Sequence, residues 1–297
     1  MVEPAAKRIE RVGVVGCGLM GSGIAEVCRR AGSDVVVVEV DEEALAAGRK
    51  RIEASLARAE KRGKIAAADG REALHRLRFT TDMGELADRQ LVIEAVVEAP
   101  EVKLAVFATL DKVVDDPEAI LASNTSSIPI MKLAMATLRP QQVVGIHFFN
   151  PAPVMRLVEL VTSLLTAEDT ALRAANYGSD VLGKRVVRSK DRAGFIVNAL
   201  LIPYILSAIR MSESGFATVA DIDTSMAEGC HHPMGPLALA DLIGLDTTLA
   251  VADSLYGEFK EPLYAPPPLL LRMCEAGLLG RKSGRGFYDY GSRDGKP

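Results

Sequence analysis

Tryptophan is absent and aromatics make up only 5% of the 297 residues, so nothing suggests the stacking platforms used to bind single-stranded nucleic acid. The four cysteines, Cys17, Cys28, Cys230 and Cys274, are scattered without a Cys-x-x-Cys pair, and only four histidines accompany them. That pattern argues against a metal site and suits thiols in a reducing compartment. No uncharged run reaches the roughly 18 residues that span a bilayer, and no apolar signal core opens the chain. Net charge is −4, with no acidic tail and no basic cluster of the kind that argues for nucleic acid. A cytoplasmic protein with no membrane partner is expected.

What is present supports a sizeable core. Hydrophobic residues make up 48% and charged residues 25%, and the length allows two domains. Val12-Gly13-Val14-Val15 reads as a short buried strand running straight into Gly16-Cys17-Gly18-Leu19-Met20-Gly21. A helix with Ile24, Ala25 and Val27 follows to near Gly32, then a second buried strand, Val35-Val36-Val37-Val38, closed by Glu39. A strand, glycine-rich turn, helix and strand with an acid about 20 residues past the glycines is the fingerprint of dinucleotide binding. Gly16 permits the tight turn, Gly18 lets the backbone approach a pyrophosphate, and Gly21 allows close helix packing. The helix N-terminus offers N–H groups to that pyrophosphate. Glu39 can accept hydrogen bonds from the adenosine ribose hydroxyls, and its charge repels a 2′-phosphate. NAD is therefore the expected cofactor.

Residues 41 to about 64 read as one long charged helix, and about 69 to 76 as a short one turning back. A simple crossover needs fewer residues, so the pair is expected to project as a helical hairpin. Its basic face carries Lys50, Arg51, Arg58, Lys61, Arg62 and Lys64, which suits either a solvated surface or a landing site for an anionic ligand. Strands are expected at 79–81, 91–98 and 119–122, with a helix over about 101–114. The last of these strands ends in Ser123-Asn124-Thr125-Ser126-Ser127. In an open parallel sheet, ligands bind beyond the carboxyl ends of the strands. Glu98, Asn124, Ser126 and His147 all fall just past such ends.

The apolar run Val143-Val144-Gly145-Ile146-His147-Phe148-Phe149 reaches a turn at Asn150-Pro151, and Val154-Met155-Arg156-Leu157-Val158-Glu159-Leu160-Val161 reads as a second strand. Folded back as a hairpin, the two can bring Glu159 beside His147. An imidazole at a strand mouth with a carboxylate behind it is a general-base pair. A buried histidine with an ordinary hydrogen bond and a salt-bridged acid would fit the same two residues; the glycine-rich turn favours the first reading. A helix at 167–182 and a strand at 185–188 end this part.

From Gly194 onward only helical patterns occur. The first, with Phe195, Ile196, Ala199, Leu200, Leu201, Ile205 and Ile209, is apolar enough to demand burial in a core or a subunit interface. Asn198 within it needs partners if it is buried. Lys190, Asp191 and Arg192 mark a polar hinge. The expected fold is a Rossmann-type α/β dinucleotide-binding domain with an inserted helical hairpin, residues 1–189, followed by an all-α domain, residues 190–297.

Six stretches in order resemble the 3-hydroxyacyl-CoA dehydrogenase family: Gly16-Cys17-Gly18-Leu19-Met20-Gly21-Ser22-Gly23-Ile24-Ala25, Ser123-Asn124-Thr125-Ser126-Ser127, Gly145-Ile146-His147-Phe148-Phe149-Asn150-Pro151, Gly194-Phe195-Ile196-Val197-Asn198, His232-Pro233-Met234-Gly235-Pro236 and Gly284-Arg285-Gly286-Phe287-Tyr288. The likeness runs from about residue 9 to 290 and is closest to monofunctional bacterial 3-hydroxybutyryl-CoA dehydrogenases. It implies NAD-dependent, reversible oxidation of an (S)-3-hydroxyacyl-CoA to the 3-ketoacyl-CoA, as in fatty acid β-oxidation. By the resemblance, His147 is the catalytic histidine and Glu159 its acidic partner. Ser126, Asn150 and Asn198 hold the reacting end of the substrate. The glycine turn with Leu19 and Met20, together with Glu39, Ala95, Glu98, Lys103, Asn124, Ser126, Asn150 and Lys282, contacts the cofactor, and Ser55 and Arg62 contact coenzyme A. Relatives often carry Lys at Arg62 and Asp at Glu39, and His231 beside His232 is a further variation.

An acyl-CoA ligand gives the basic hairpin a purpose, and low aromatic content gives none for nucleic acid. The apolar C-terminal region is expected to form a homodimer. The alternatives are a 3-hydroxyadipyl-CoA or sugar-acid dehydrogenase of the same fold, or a non-catalytic NAD-binding protein. Competition by coenzyme A and a cofactor-reduction assay separate these.

Overall fold

A computed structural model describes residues 8–291. The chain divides into two compact units between Arg192 and Ala193.

The first unit is built on one eight-stranded sheet. In chain order it runs β1 (Arg11–Val15), α1 (Leu19–Arg30), β2 (Asp34–Val38), α2 (Glu42–Lys61), α3 (Ala67–His75), β3 (Arg78–Thr80), β4 (Leu91–Glu94), α4 (Pro100–Val113), β5 (Ile120–Ser123), α5 (Ile130–Ala134), β6 (Val143–Phe148), β7 (Leu157–Thr162), α6 (Glu168–Asn176) and β8 (Arg185–Lys190). Spatial order is β3-β2-β1-β4-β5-β6-β7-β8. All neighbours are parallel except β6 and β7, which pair antiparallel as a hairpin. Strand order reverses between β1 and β4, the switch point at which this class of sheet opens a crevice. The central strands are near-continuous valine, isoleucine and leucine because both their faces are covered. Val12, Val14, Val35 and Val37 are fully buried, each burial contributing about 1.5–3 kcal/mol.

Several boundaries differ from the sequence expectation. β4 stops at Glu94, not Glu98, because the Glu94 carboxylate accepts from the Val96 N–H and turns the backbone out of the sheet. β7 starts at Leu157; Val154 and Met155 instead donate their N–H groups to the Pro151 carbonyl in the turn. The helix at 167–182 is α6 continued by a π-helical turn over Tyr177–Val181. The short α5 went unanticipated; Asp191 caps it, accepting from the Ile130 and Met131 N–H groups at 2.8 and 2.7 Å.

The inserted hairpin is α2 and α3. Asp41 caps α2 by accepting from Ala44 N–H at 2.7 Å, with Glu42 and Glu43 in the first turn and Arg58 and Lys61 in the last, charges that complement the helix dipole. α2 buries Leu45, Gly48, Ile52 and Leu56 and leaves Lys50, Arg58, Lys61 and Arg62 exposed. A Cβ at Gly48 would meet Cys17 Sγ at 2.5 Å, so α2 lies directly against the glycine-rich turn.

The second unit packs α7 (Val197–Glu213), α8 (Val219–Cys230), α9 (Pro236–Ile243), α10 (Leu245–Phe259) and α11 (Pro268–Glu275) around Ile205, Leu206, Ile209, Leu237, Leu245 and Leu255. α7 is not buried all round: Leu200 is 72% and Met211 41% exposed. The unit also does not stay helical. Past α11 the chain forms turns and isolated bridges, Gly280 to Arg285 and Arg285 to Asp289. Two buried carboxylates hold this tail. Asp241 accepts from the Phe287 and Tyr288 N–H groups and the Tyr290 hydroxyl. Asp223 accepts from Leu237 N–H, Ala238 N–H and the Tyr288 hydroxyl. A Cβ at Gly286 would lie 2.0 Å from Asp241, and one at Gly235 2.3 Å from Asp223. Gly235 and Gly286, in the motifs at 232–236 and 284–288, are therefore docks for a carboxylate.

Candidate active site

The turn after β1 is shaped by contact. Gly16 has φ +90°, donates its N–H to the Val38 carbonyl at 2.8 Å, and packs on the backbone of Ala95. A Cβ at Gly21 would fall 1.9 Å from the Gly16 carbonyl oxygen. Gly18 is different: nothing lies within 4 Å of where its Cβ would be. Gly18 also begins α1 with no side chain capping the helix N–H groups, and Leu19 beside it is 67% exposed. An open face over uncapped helix N–H groups fits the pyrophosphate of NAD. At the end of β2, Glu39 accepts from Cys17 N–H at 2.5 Å and from Val40 N–H at 3.0 Å. Burial, and then the Glu39 carboxylate, push the Cys17 thiol up to about 12 despite the nearby Arg51. It stays protonated and is no nucleophile. Arg51, counted with the hairpin's basic face, is exposed and donates to the Cys17 carbonyl at 3.3 Å.

The hairpin register pairs His147 directly with Glu159. His147 Nδ1 lies 2.8 Å from Glu159 Oε2, with the two side chains 8% and 1% exposed. Nδ1–H donates its hydrogen bond to the carboxylate, which leaves Nε2 as the ring nitrogen that can accept a proton. Phe149 packs on the imidazole, ring centroids 4.6 Å apart. Expected side by side from two strand patterns, the pair is found side by side.

The mouth between β4 and β6 is held by carboxylates and an amide. Glu98 accepts from the Thr125 hydroxyl at 2.5 Å, the Ser126 and Ser127 N–H groups at 3.0 and 3.1 Å, and the Ser127 hydroxyl at 2.8 Å. Burial would raise the Glu98 carboxyl, but the Lys103 ammonium and these hydrogen bonds outweigh it and hold it below the ordinary carboxylate range. Asn124 accepts from Phe148 N–H at 2.9 Å, tying the ends of β5 and β6. Ser126 is anchored only through its N–H; its hydroxyl takes no partner among the described residues.

Other anticipated positions fall as follows. Lys103 is 1% exposed, its ammonium 2.6 Å from Glu94 and 3.1 Å from Glu98. Asn150 is exposed just past β6. Ser55 is half-buried on α2, one turn from Arg58 and two from Arg62. In the second unit, Asn198 sits half-buried in the first turn of α7, its side chain without a partner among the described residues. Lys282 pairs with Asp246. Sequence reading passed over Glu94, although an acid closing the apolar run Leu91-Val92-Ile93 was a visible signal. Thr125 stood in the polar cluster at 123–127 without a role of its own, Asp191 read only as part of a polar hinge, and nothing local marked the contact at Gly48.

The chain resembles known proteins in sequence and fold. The NAD-binding domain of 3-hydroxyacyl-CoA dehydrogenase matches residues 11–192, and the C-terminal domain of 3-hydroxyacyl-CoA dehydrogenase matches residues 194–290. A 3-hydroxybutyryl-CoA dehydrogenase of Mycobacterium tuberculosis is 62% identical over 95% of this chain and 99% of its own length. The crystal structure of M. tuberculosis FadB2 superposes with a TM-score of 0.95 at 62% identity, covering 96% of this chain and 100% of that one. That of the (S)-3-hydroxybutyryl-CoA dehydrogenase PaaH1 from Ralstonia eutropha gives 0.90 at 44% identity, covering 96% and 100%.

Proposed function

The chain belongs to the 3-hydroxyacyl-CoA dehydrogenase family, and on that premise we propose how its residues divide the work. The enzyme oxidises (S)-3-hydroxyacyl-CoA, with 3-hydroxybutyryl-CoA as substrate, to the 3-ketoacyl-CoA in an NAD-dependent, reversible reaction. The observation that carries the assignment of roles is the 2.8 Å His147–Glu159 contact on β6 and β7 of the sheet that also bears the glycine turn.

Bound NAD supplies the hydride acceptor at its nicotinamide. The open face of Gly18 and the N–H groups of Leu19, Met20 and Gly21 bind the pyrophosphate; Glu39 binds the adenosine ribose; Ala95 backs the turn; Glu98, Lys103, Asn124 and Asn150 complete the first unit's cofactor site, and a cofactor contact for Lys282 rests on the family resemblance alone. His147 Nε2 takes the proton from the C3 hydroxyl. Glu159 fixes the ring and offsets the positive charge that grows on it. Ser126 and Asn150 hold the reacting oxygens, supported by the uncommitted side chain of Ser126, and the same role for Asn198 rests on the family resemblance alone. Ser55 and Arg62 engage coenzyme A.

Steady-state kinetics on a ladder of 3-hydroxyacyl-CoA chain lengths, with NAD and with NADP, tests this reading. kcat/KM is expected to peak at four carbons and to favour NAD. Glu39→Ala is expected to raise the KM for NAD roughly tenfold or more, since hydrogen bonds to a charged group contribute about 1.5–3 kcal/mol. Equal efficiency with NADP in the wild type would refute the role of Glu39. Free hydroxy acids turned over in preference to their thioesters would refute the substrate.

The exposed cations at the end of α2 give a second expectation. Reversing both in Lys61→Glu/Arg62→Glu should raise the KM for acyl-CoA about tenfold, leave the KM for NAD unchanged, and lose much of its effect in high salt. An unchanged KM for acyl-CoA would return this face to the solvent.

The second unit is read as the dimerisation half. Its exposed Leu200, Met211, Phe216, Leu242 and Leu263 are the kind of apolar surface that a partner copy covers. Sedimentation equilibrium is expected to give twice the chain mass, and a single-chain mass at assay concentration contradicts this. No described helix is long and apolar enough to cross a membrane. All four cysteines are free, which supports a cytoplasmic site of action.

A further inference from the structure

The turn that joins β6 to β7 is gripped by two residues to which the reaction gives no part. Within the turn, Val154 and Met155 donate their N–H groups to the Pro151 carbonyl. Two of its other carbonyls are taken by a side chain from the start of β8. The Lys184 ammonium donates to the Ala152 carbonyl at 2.7 Å and to the Met155 carbonyl at 2.8 Å. Among the described residues Lys184 makes no ion pair, and no other donor reaches either carbonyl. Ala152 is 3% exposed, so without the ammonium its carbonyl would be buried and unsatisfied.

The backbone delivers Lys184 to this place. Gly183 before it takes φ +63°, and the Lys184 N–H donates to the Gly178 carbonyl at 2.9 Å. The Arg185 N–H then donates to the Arg156 carbonyl at 2.7 Å as β8 begins. Burial, and then the Arg30 guanidinium, hold the Lys184 ammonium below the ordinary lysine range, against the opposite pull of Cys28 and Glu26. On the other side of the turn lies α1. A Cβ at Gly23 would stand 3.2 Å from Ala152 Cβ and 3.1 Å from Pro153 Cδ. Gly23, two residues past Gly21, has no part in the pyrophosphate site; it lets α1 approach the turn.

We propose that Lys184 is a positioning residue of the dehydrogenase, its ammonium clamping the turn at 151–155 against α1 so that Asn150, at the head of that turn, meets the substrate in a fixed place. One ammonium carries three N–H donors on a single atom, which suits it to gather two carbonyls. Both of these hydrogen bonds end on the backbone of the turn, so Lys184 acts only through it. The inference rests on the reading of Asn150 as a substrate-holding residue, so the test keeps the two apart.

Lys184→Met keeps the length of the side chain and loses the donors, which frees the turn to shift. Misplacing a substrate-holding group by about 1 Å can cost up to a hundredfold, so kcat should fall tenfold or more. The KM for acyl-CoA and the Kd for NAD should change no more than about threefold, because coenzyme A and the pyrophosphate, remote from the turn, supply most of the binding. Lys184→Arg offers N–H groups to both carbonyls and should keep kcat within about threefold of wild type. Gly23→Ala presses the turn from the α1 side and removes no hydrogen bond. Its kcat should fall about threefold or more with the same unchanged binding. In an Asn150→Ala background, Lys184→Met should cost little more, since residues that act as a unit give losses that do not multiply.

The measurement is kcat, KM for acyl-CoA, Kd for NAD and melting curves for the wild type, these variants, Asn150→Ala and Asn150→Ala/Lys184→Met. A kcat lost in Lys184→Met, kept in Lys184→Arg and not lost again in the double variant supports the proposal. Wild-type kcat with only a lower melting temperature in Lys184→Met overturns it, making Lys184 a stabilising contact alone. Equal losses in Lys184→Met and Lys184→Arg overturn it too, as do losses that multiply in the double variant. Should Lys184→Met not fold, Gly23→Ala decides: a lowered kcat with intact binding supports the clamp, and wild-type kcat counts against it. An impaired Asn150→Ala beside a normal Lys184→Met sinks the clamp alone, whereas wild-type kcat in Asn150→Ala sinks the assignment of Asn150 and the clamp with it.

Discussion

His147→Gln is expected to lower kcat for oxidation by roughly 10²- to 10⁴-fold, the usual worth of a general base, while leaving NAD affinity and the melting temperature close to wild type. The near-normal stability follows from what the ring does for its neighbour. Glu159 is 1% exposed and accepts from the Nδ1–H of His147 at 2.8 Å. Removing that donor outright would cost a buried carboxylate one of its hydrogen bonds, about 1–3 kcal/mol. A glutamine amide can still donate to it. The same amide has no basic lone pair to take the C3 hydroxyl proton, so chemistry fails where structure survives. Stopped-flow reduction of NAD, beside equilibrium titration with NAD and a melting curve, checks all three parts. A kcat within tenfold of wild type would remove His147 from the base role.

Gly21→Ala is expected to be nearly as damaging by an unrelated route. Its Cβ would stand 1.9 Å from the Gly16 carbonyl oxygen and 3.3 Å from Ala95 Cβ. Neither neighbour is the end of a flexible side chain, so α1 must shift away from β1. Gly16 cannot follow easily, because it sits at φ +90° with its N–H on Val38. Overpacking of this kind costs about 1–3 kcal/mol, and the displaced helix end no longer presents its N–H groups to the pyrophosphate. NAD affinity should fall at least about a hundredfold, since several such hydrogen bonds to a charged group are lost together. Gly18→Ala provides the contrast. Nothing occupies the space of its Cβ and its φ is −66°, so the protein should melt as wild type yet bind NAD more weakly. If Gly18→Ala binds NAD with wild-type affinity, the pyrophosphate does not lie over this residue.

How far the sequence could be read depended on the range of the cause. The glycine turn, Glu39 and the β6–β7 pair were legible because each follows from a local pattern: a φ that only glycine tolerates, an acid closing a valine strand, two apolar runs folded across a proline turn. Placing Glu159 opposite His147 needed only the hairpin register. What escaped was set by tertiary contact. Gly48 carried no role of its own in the long helix, and is the place where α2 touches Cys17. Arg51 looked like one more cation on a basic face, and turns to the Cys17 carbonyl. Glu98 looked like the end of a long strand, but Glu94 ends β4 four residues earlier by capturing Val96 N–H. The chain after Glu275 was expected to stay helical with the rest from Gly194 onward; Asp241 binds the Phe287 and Tyr288 N–H groups instead. Family resemblance supplied roles for Ser126, Asn150 and Asn198 that no spacing could supply.

The central claim is that His147 takes the proton and Glu159 acts only through it. A two-by-two kinetic cycle of His147→Gln and Glu159→Gln, measured across pH for oxidation of 3-hydroxybutyryl-CoA, tests it most directly. Residues that act as one unit give losses that do not multiply. Glu159→Gln should cost less than His147→Gln, because its amide can still hold the ring, and adding it to His147→Gln should cost little more. An acid limb of the wild-type profile that reports the base should be absent from the residual activity of His147→Gln. Losses that multiply, or an acid limb that persists without His147, would show that another residue accepts the proton.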